Sequence, residues 1–208
     1  MLTTLLFPPR CPGCRTWGAT ACARCLSAFG PPRRVPGAGP PTYALAPYAG
    51  AARELVLAFK ERGRRDLAAV FGALIAAALP RLPPPHPSER VWLVPAPSRS
   101  SAARARGGSH VLRMARASGF SVAPALAFAK GVRDSVGLDP ASRRANLEGR
   151  VRIVPGGLPP PGTPVVLLDD VITTGSTARA CISVLKSGGF RVSGVLTLTA
   201  ARRTHPVE

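Results

Sequence analysis

VVLLDDVITTGSTARA, from Val165 to Ala180, runs four apolar residues into two adjacent aspartates and then into small hydroxyls and a glycine. VVLL is β-rich and apolar on both faces, as expected of a strand covered by helices on each side. Asp169 and Asp170 then fall at the carboxyl end of that strand, where open parallel sheets place their ligands. TARACISVLKSGG reads as the helix that follows, with Gly188 and Gly189 as its stop.

Working outward, AARELVLAFKERG and RDLAAVFGALIAAAL carry apolar residues at helical spacing. VWLVPAP (Val91 to Pro97) is a short buried strand stopped by prolines, and FRVSGVLTLTAAR closes the chain as another strand. FSVAPALAFAK reads as an edge or irregular strand because of Pro124. SAARARGGSHVLRMARASG is a basic helix candidate interrupted near Gly107 and Gly108. Strands alternating with helices predict an α/β fold, a doubly wound and mainly parallel sheet. Three regions emerge: residues 1–27 with four of the five cysteines, a Pro/Gly-rich linker over 28–41 expected to hold neither helix nor strand, and one α/β domain over 42–208.

The loop after the strand suggests a ligand. Backbone N–H groups, hydroxyls and a helix dipole together make an anion cradle, and Gly175 lets the main chain approach a phosphate closely. Carboxylates bind phosphate poorly but hydrogen-bond sugar hydroxyls well, each charge-assisted bond contributing roughly 1.5–3 kcal/mol. A ribose 5-phosphate satisfies both ends of the loop. No GxxxxGK[ST] occurs in the chain, which argues against a P-loop nucleotidase.

Composition narrows the partners. The 208 residues hold 28 Lys plus Arg against 10 Asp plus Glu, a net charge of +18 that favours polyanions such as nucleic acid or phosphorylated metabolites. Aromatics are only 5%, so nucleic-acid binding would lean on phosphates more than on base stacking. No apolar run reaches the roughly 18 residues of a membrane span, and the start lacks a basic leader and cleavage site, so a cytoplasmic location without membrane insertion is expected.

CPGCRTWGATACARC places Cys11, Cys14, Cys22 and Cys25 as two CxxC knuckles seven residues apart. Two such knuckles form the closed all-thiolate shell of structural zinc. Disulfides are the competing reading, though nothing marks the chain for an oxidising compartment, and an iron–sulfur or rubredoxin-like site is the lesser alternative. Cys181 reads as a small core residue.

VVLLDDVITTGST resembles the phosphoribosyl pyrophosphate (PRPP) signature of type I phosphoribosyltransferases. The resemblance implies that Asp169 and Asp170 contact the ribose hydroxyls and that Thr173, Thr174, Gly175, Ser176 and Thr177 enclose the 5-phosphate. VPAPSRSSAARARGG is similar to the pyrophosphate loop of the same enzymes, which implies that role for Ser98, Arg99, Arg104 and Arg106. With the cysteine knuckles ahead of it, nearly the whole chain resembles the ComF family, linked to DNA uptake and competence in bacteria. FPPRCPGC, the helical segment with Lys60, and LDPASRRANLEG with Arg143 and Asn146 carry that likeness. The family often has an aromatic and Asn or Asp where this chain has Gly108 and Ser109. The resemblance implies a glycosyltransferase that uses PRPP with Mg2+ and a nucleobase-type acceptor. The alternative is a non-catalytic protein that binds single-stranded DNA or a nucleotide beside the uptake machinery. His110 is read as a solvated or packed residue, with no part as a base.

Overall fold

The structure is a computed structural model that describes residues 8–36, 39–83, 90–98, 108–129 and 151–201. Its main sheet has five strands in the order β1-β2-β7-β6-β3. These are β1 (Arg33–Val35), β2 (Thr42–Pro47), β3 (Trp92–Pro95), β6 (Pro164–Ile172) and β7 (Arg191–Ala200). β2, β7, β6 and β3 are mutually parallel, and only β1 runs antiparallel, at the edge. The α/β class and the mainly parallel sheet expected from the strand–helix alternation are what the chain adopts.

β6 is central because it can be buried on both faces. Val165 and Leu167 belong to one buried cluster, Val166 and Leu168 to the other. That alternation is the period of two that any strand imposes. Three helices cover the Val166 face: α2 (Gly50–Lys60), α3 (Leu67–Ala78) and α4 (His110–Ala117). Each buries one stripe at helical spacing, Ala52, Leu55, Val56 and Phe59 in α2 and Leu67, Phe71, Ile75 and Ala78 in α3. The opposite face is covered by α5 (Ser176–Ser187), through Ala178, Cys181, Ile182 and Leu185. Cys181 is fully buried there, as a small core residue should be.

FSVAPALAFAK behaves as its proline requires. Val122 makes one parallel bridge to Leu93 of β3, and then Pro124, with no N–H to donate, interrupts the ladder. The chain resumes as β4 (Leu126–Phe128), paired in a separate antiparallel ribbon with β5 (Val151–Ile153).

The linker expectation for residues 28–41 needs correcting, because β1 lies inside it. Pro32 and Pro36 bracket Arg33, Arg34 and Val35, so every residue of the strand keeps its N–H, and β1 pairs with β2 in register from Arg33 opposite Ala44 to Val35 opposite Thr42. At an edge, three residues between prolines are enough.

The cysteine region also packs into the main core. Cys11, Cys25 and Phe29 share a buried cluster with Leu55 and Phe71, and Phe29 meets Phe71 edge to face at 6.0 Å between centroids. A short helix, α1 (Ala23–Leu26), carries Cys25 inward. Arg64, in the α2–α3 turn, donates to the carbonyl of Arg10 at 2.7 Å while its fork holds Asp66 at 2.7 and 2.9 Å.

α3 and α4 cross in close backbone contact at Gly72. A Cβ at Gly72 would stand 2.5 Å from the Ala117 carbonyl carbon. Gly72→Ala gains helix propensity of up to about 1 kcal/mol, but overpacking against backbone costs typically 1–3 kcal/mol. The expected net result is a lower melting temperature with an unchanged circular dichroism spectrum; an equal or higher one would mean the two helices can part freely.

Candidate functional site

The carboxyl ends of β3, β6, β7 and β2 share one edge of the sheet, and the candidate residues gather there. Asp170 is 3% exposed. Its Oδ2 accepts from His110 Nε2 at 2.9 Å and from the Lys60 ammonium at 3.0 Å. Its Oδ1 accepts from the Val171 N–H at 2.8 Å. Lys60 is the last residue of α2 and His110 the first of α4, so one carboxylate ties β6 to the ends of two helices. Phe59 packs edge to face on the His110 ring at 5.7 Å. His110 Nδ1 is buried with no hydrogen-bond partner among the described residues.

Asp169 faces the other way. It shares the parity of Val165 and Leu167, the α5 side of β6, and its charge raises the thiol pKa of Cys181 on α5, after burial, the larger cause. Half-buried, it accepts the Asp170 N–H at 2.8 Å, and its carboxyl also approaches that of Asp170.

The electrostatics divide the pair further. Burial alone would raise the Asp170 carboxyl, but the His110 hydrogen bond and the Lys60 charge outweigh it and hold the group below the usual carboxylate range. Burial and the adjacent Asp170 charge instead push Asp169 well above that range, outweighing the opposing Lys60 charge. Burial lowers Lys60, yet the charges of Asp170 and Asp169 prevail and raise it. Asp170 is thus a satisfied ionised anchor, and Asp169 is an acid whose ionisation the fold resists. Adjacent residues of a strand point to opposite faces, and β6 continues as strand through both acids to Ile172.

Beyond β6 the loop turns on Gly175, at φ +74°, which a side chain would strain. Thr174 Oγ1 lies 2.9 Å from Ser176 Oγ, which is buried, while Thr173 is exposed and Thr177 half-buried. Arg179 turns back over this loop. Its Nη1 donates to the Thr174 carbonyl at 2.9 Å and its Nη2 to Ser176 Oγ at 3.1 Å. No acid occupies the first turn of α5. A helix N-terminus already carries partial positive charge, so a guanidinium there and no carboxylate leaves a concentration of positive charge that an anion would relieve.

Of the remaining candidates, Ser98 lies just past β3, its hydroxyl 3.0 Å from that of Ser109. Ser109 in turn caps α4 by accepting from the Leu112 N–H at 3.2 Å. Lys60 belongs to the Asp170 cluster and keeps 37% of its side chain exposed. Arg99, Arg104, Arg106, Arg143 and Asn146 lie outside the described residues. Two participants escaped the sequence reading. His110, expected to be solvated or packed, is buried against Asp170; Arg179 was signalled only by a cation in a helix's first turn, where the dipole disfavours it.

The four N-terminal cysteines converge, their sulfurs all within 4.8 Å of one another. Tetrahedral zinc with bonds of about 2.3 Å spaces its sulfurs about 3.8 Å apart. The Cys14 and Cys22 sulfurs stand at 3.4 Å, and the Cys22 N–H points at Cys11 Sγ at 3.4 Å. A Cβ at Gly13 would lie 2.7 Å from Cys25 Sγ, so the glycine of CPGC is sterically required. The Thr16 hydroxyl and N–H lower the Cys14 thiol to about 5, as a metal-binding thiolate needs. No two of the cysteines are joined as a disulfide. The cluster has the donor set and spacing to hold a metal ion such as zinc.

No family model and no curated protein matches the sequence. Among solved structures, the chain is similar to an allosteric regulatory enzyme of purine biosynthesis, at 17% identity and a TM-score of 0.41 over 69% of this chain. It spans 30% of the length of that enzyme. An adenine phosphoribosyltransferase from Rhodothermus marinus matches at 18% identity and a TM-score of 0.38, covering 86% of this chain and 88% of its own. A hypoxanthine phosphoribosyltransferase from Staphylococcus aureus matches at 16% and 0.36, covering 72% and 70%.

Two outcomes follow from the geometry. A carboxyl with a raised folded pKa favours folding below its unfolded pKa and loses that contribution as pH rises through the folded value; a depressed one does the reverse. At pH 7, therefore, Asp169→Asn should raise the melting temperature. Asp170→Asn should lower it, by an amount corresponding to about 3 kcal/mol, because it strips a buried partner from Lys60 and His110. Shifts of the same sign in thermal denaturation would refute the division of labour. Elemental analysis of purified protein should also find close to one zinc per chain, released together with a fall in melting temperature when Cys11 or Cys25 becomes Ser; a metal-free protein of wild-type stability would contradict the site.

Proposed function

We propose that the protein binds PRPP and transfers its phosphoribosyl group to a nitrogen acceptor. The observation that carries this reading is the pairing of a positively charged, hydroxyl-lined loop with a carboxylate that the fold holds at a cost. Groups whose ionisation is opposed by burial and a like charge cluster at functional sites. In this reading Thr173, Thr174, Gly175, Ser176 and Thr177 enclose the 5-phosphate, with Arg179 released from Thr174 and Ser176 to meet it. Asp169 accepts from the ribose hydroxyls. Asp170 fixes Lys60 at the rim, where its ammonium offsets substrate charge. Ser98, Arg99, Arg104 and Arg106 are assigned to the pyrophosphate, and Arg143 and Asn146 to the acceptor side.

Mg2+ would accompany the pyrophosphate and neutralise part of its charge. The acceptor nitrogen forms a bond to C1 as the C1–O bond to pyrophosphate breaks, its electron pair leaving on oxygen; the acceptor's N–H proton passes to water. Positioning and electrostatic stabilisation of the cationic sugar would supply most of the rate. The cysteine cluster is assigned structural zinc, since four thiolates leave no open coordination position. Cytoplasmic residence and a place beside the DNA-uptake machinery are part of the same reading.

A second reading, binding of single-stranded DNA, is favoured by the +18 charge and by Trp17, which is 55% exposed with the Arg10 guanidinium 3.8 Å over its ring. Among the described residues no helix is long and apolar enough to cross a membrane.

Isothermal titration with PRPP and Mg2+ separates the readings. Wild type should bind, and Asp169→Asn should weaken binding by about tenfold or more, the equivalent of one charge-assisted hydrogen bond. Silence toward PRPP, together with oligonucleotide binding that falls steeply with salt, would replace the first reading with the second.

A further inference from the structure

The four N-terminal cysteines are not equivalent to a reagent arriving from solvent. Cys11 and Cys25 are 0% and 2% exposed and belong to the core cluster of Leu55 and Phe71. Cys14 and Cys22 are half-buried and pack against that cluster from outside. The outer pair takes one cysteine from each knuckle, and its two sulfurs stand 3.4 Å apart. Two polar side chains also meet Cys14 Sγ. The Thr16 hydroxyl lies 3.2 Å from it, and the exposed Arg24 guanidinium hydrogen-bonds it.

Reactive cysteines are partly exposed and sit in electropositive surroundings, whereas buried structural ones are inert. Cys14 meets both conditions, and a guanidinium beside its sulfur stabilises the oxyanion that leaves when a peroxide bond breaks. We propose that Cys14 is a site of oxidation by hydroperoxides and that Cys22 is the partner that resolves it. With hydrogen peroxide, the Cys14 thiolate attacks one oxygen. An S–O bond forms, the O–O bond breaks, and the departing hydroxide takes a proton from solvent. The Cys22 thiolate then attacks the Cys14 sulfur; an S–S bond forms, the S–O bond breaks, and a second hydroxide leaves and is protonated. Two thiolates lose two electrons in all, and one peroxide is reduced to two waters. The sulfurs need to close only from 3.4 Å to the disulfide length of about 2.0 Å. The shell is left with Cys11 and Cys25, too few ligands to hold zinc. That consequence rests on the metal assignment; the disulfide rests on the exposure and spacing of the outer sulfurs.

Treatment of the full chain with equimolar hydrogen peroxide, then alkylation of free thiols and tryptic peptide mapping, tests the proposal. Trypsin cuts after Arg10, Arg15, Arg24 and Arg33, so Cys14, Cys22 and Cys25 fall on separate peptides, 11–15, 16–24 and 25–33. Oxidised protein should yield 11–15 joined to 16–24, with fragmentation placing the bond on Cys14, and dithiothreitol should reverse it. Zinc, followed with a chelating dye, should leave in step with this link. Cys22→Ser should halt the reaction at a Cys14 sulfenic acid that dimedone traps. Arg24→Gln keeps all four sulfurs at an exposed position, so its melting temperature should match wild type while thiol loss slows about fivefold or more. No link, a link within either knuckle, or thiol loss at the wild-type rate in Arg24→Gln would overturn the proposal. A Cys14–Cys22 link formed with no release of zinc would leave the oxidation site assigned and remove only the metal from this cluster.

Discussion

One buried carboxylate organises this end of the molecule. Asp170 sits on the central strand with an ammonium and an imidazole both within 3.0 Å of a single oxygen. Lys60 and His110 come from different helices, so the contact fixes the end of α2 and the start of α4 against β6. A buried charge is tolerable only when partnered, and this one is, which is why its neighbour is so different. Asp169 sits one residue away, and burial together with the Asp170 charge outweighs the help of Lys60 and the Asp170 N–H. The fold thus uses one acid of the DD pair for cohesion and leaves the other in tension beside a loop of accumulated positive charge.

That loop is itself unrelieved. Gly175 provides the turn, the first turn of α5 lacks an acid, and Arg179 bends back toward a carbonyl and a hydroxyl. Each of these is weak evidence alone, and a helix N-terminus by itself is ordinary. Together with a neighbouring acid whose ionisation is opposed, they form the place to which the proposed ligand, carrying both phosphate and hydroxyls, is assigned. The cysteine cluster stands apart from this chemistry. It is bound into the same core by Phe29 and Arg64, so metal loss there should reach α2 and, through Lys60, the site.

Much of this was legible in the sequence, for identifiable reasons. PVVLLDD and FRVSGVLTLTAAR were readable as strands because both faces are apolar, and the helices because their buried residues recur every three or four positions. β1 was not, since prolines on both sides mask a three-residue edge strand whose own N–H groups are intact. The opposed parity of Asp169 and Asp170 was latent in the period of a strand, since PVVLLDD reads as a strand that ends in the acids. His110 could not be found from sequence: nothing near it shows that the start of α4 meets a carboxylate 60 residues further along the chain. Arg179 left a faint signal, a cation where the helix dipole discourages one.

The central claim is that Asp169 and the Thr173–Thr177 loop hold the two ends of one sugar phosphate while Asp170 stays with Lys60 and His110. A crystal structure with ribose 5-phosphate tests it most directly. The account predicts the phosphate among the loop N–H groups, a sugar hydroxyl on Asp169, and Asp170 unmoved. A phosphate bound elsewhere, or Asp170 swung away from His110 onto the sugar, would contradict it.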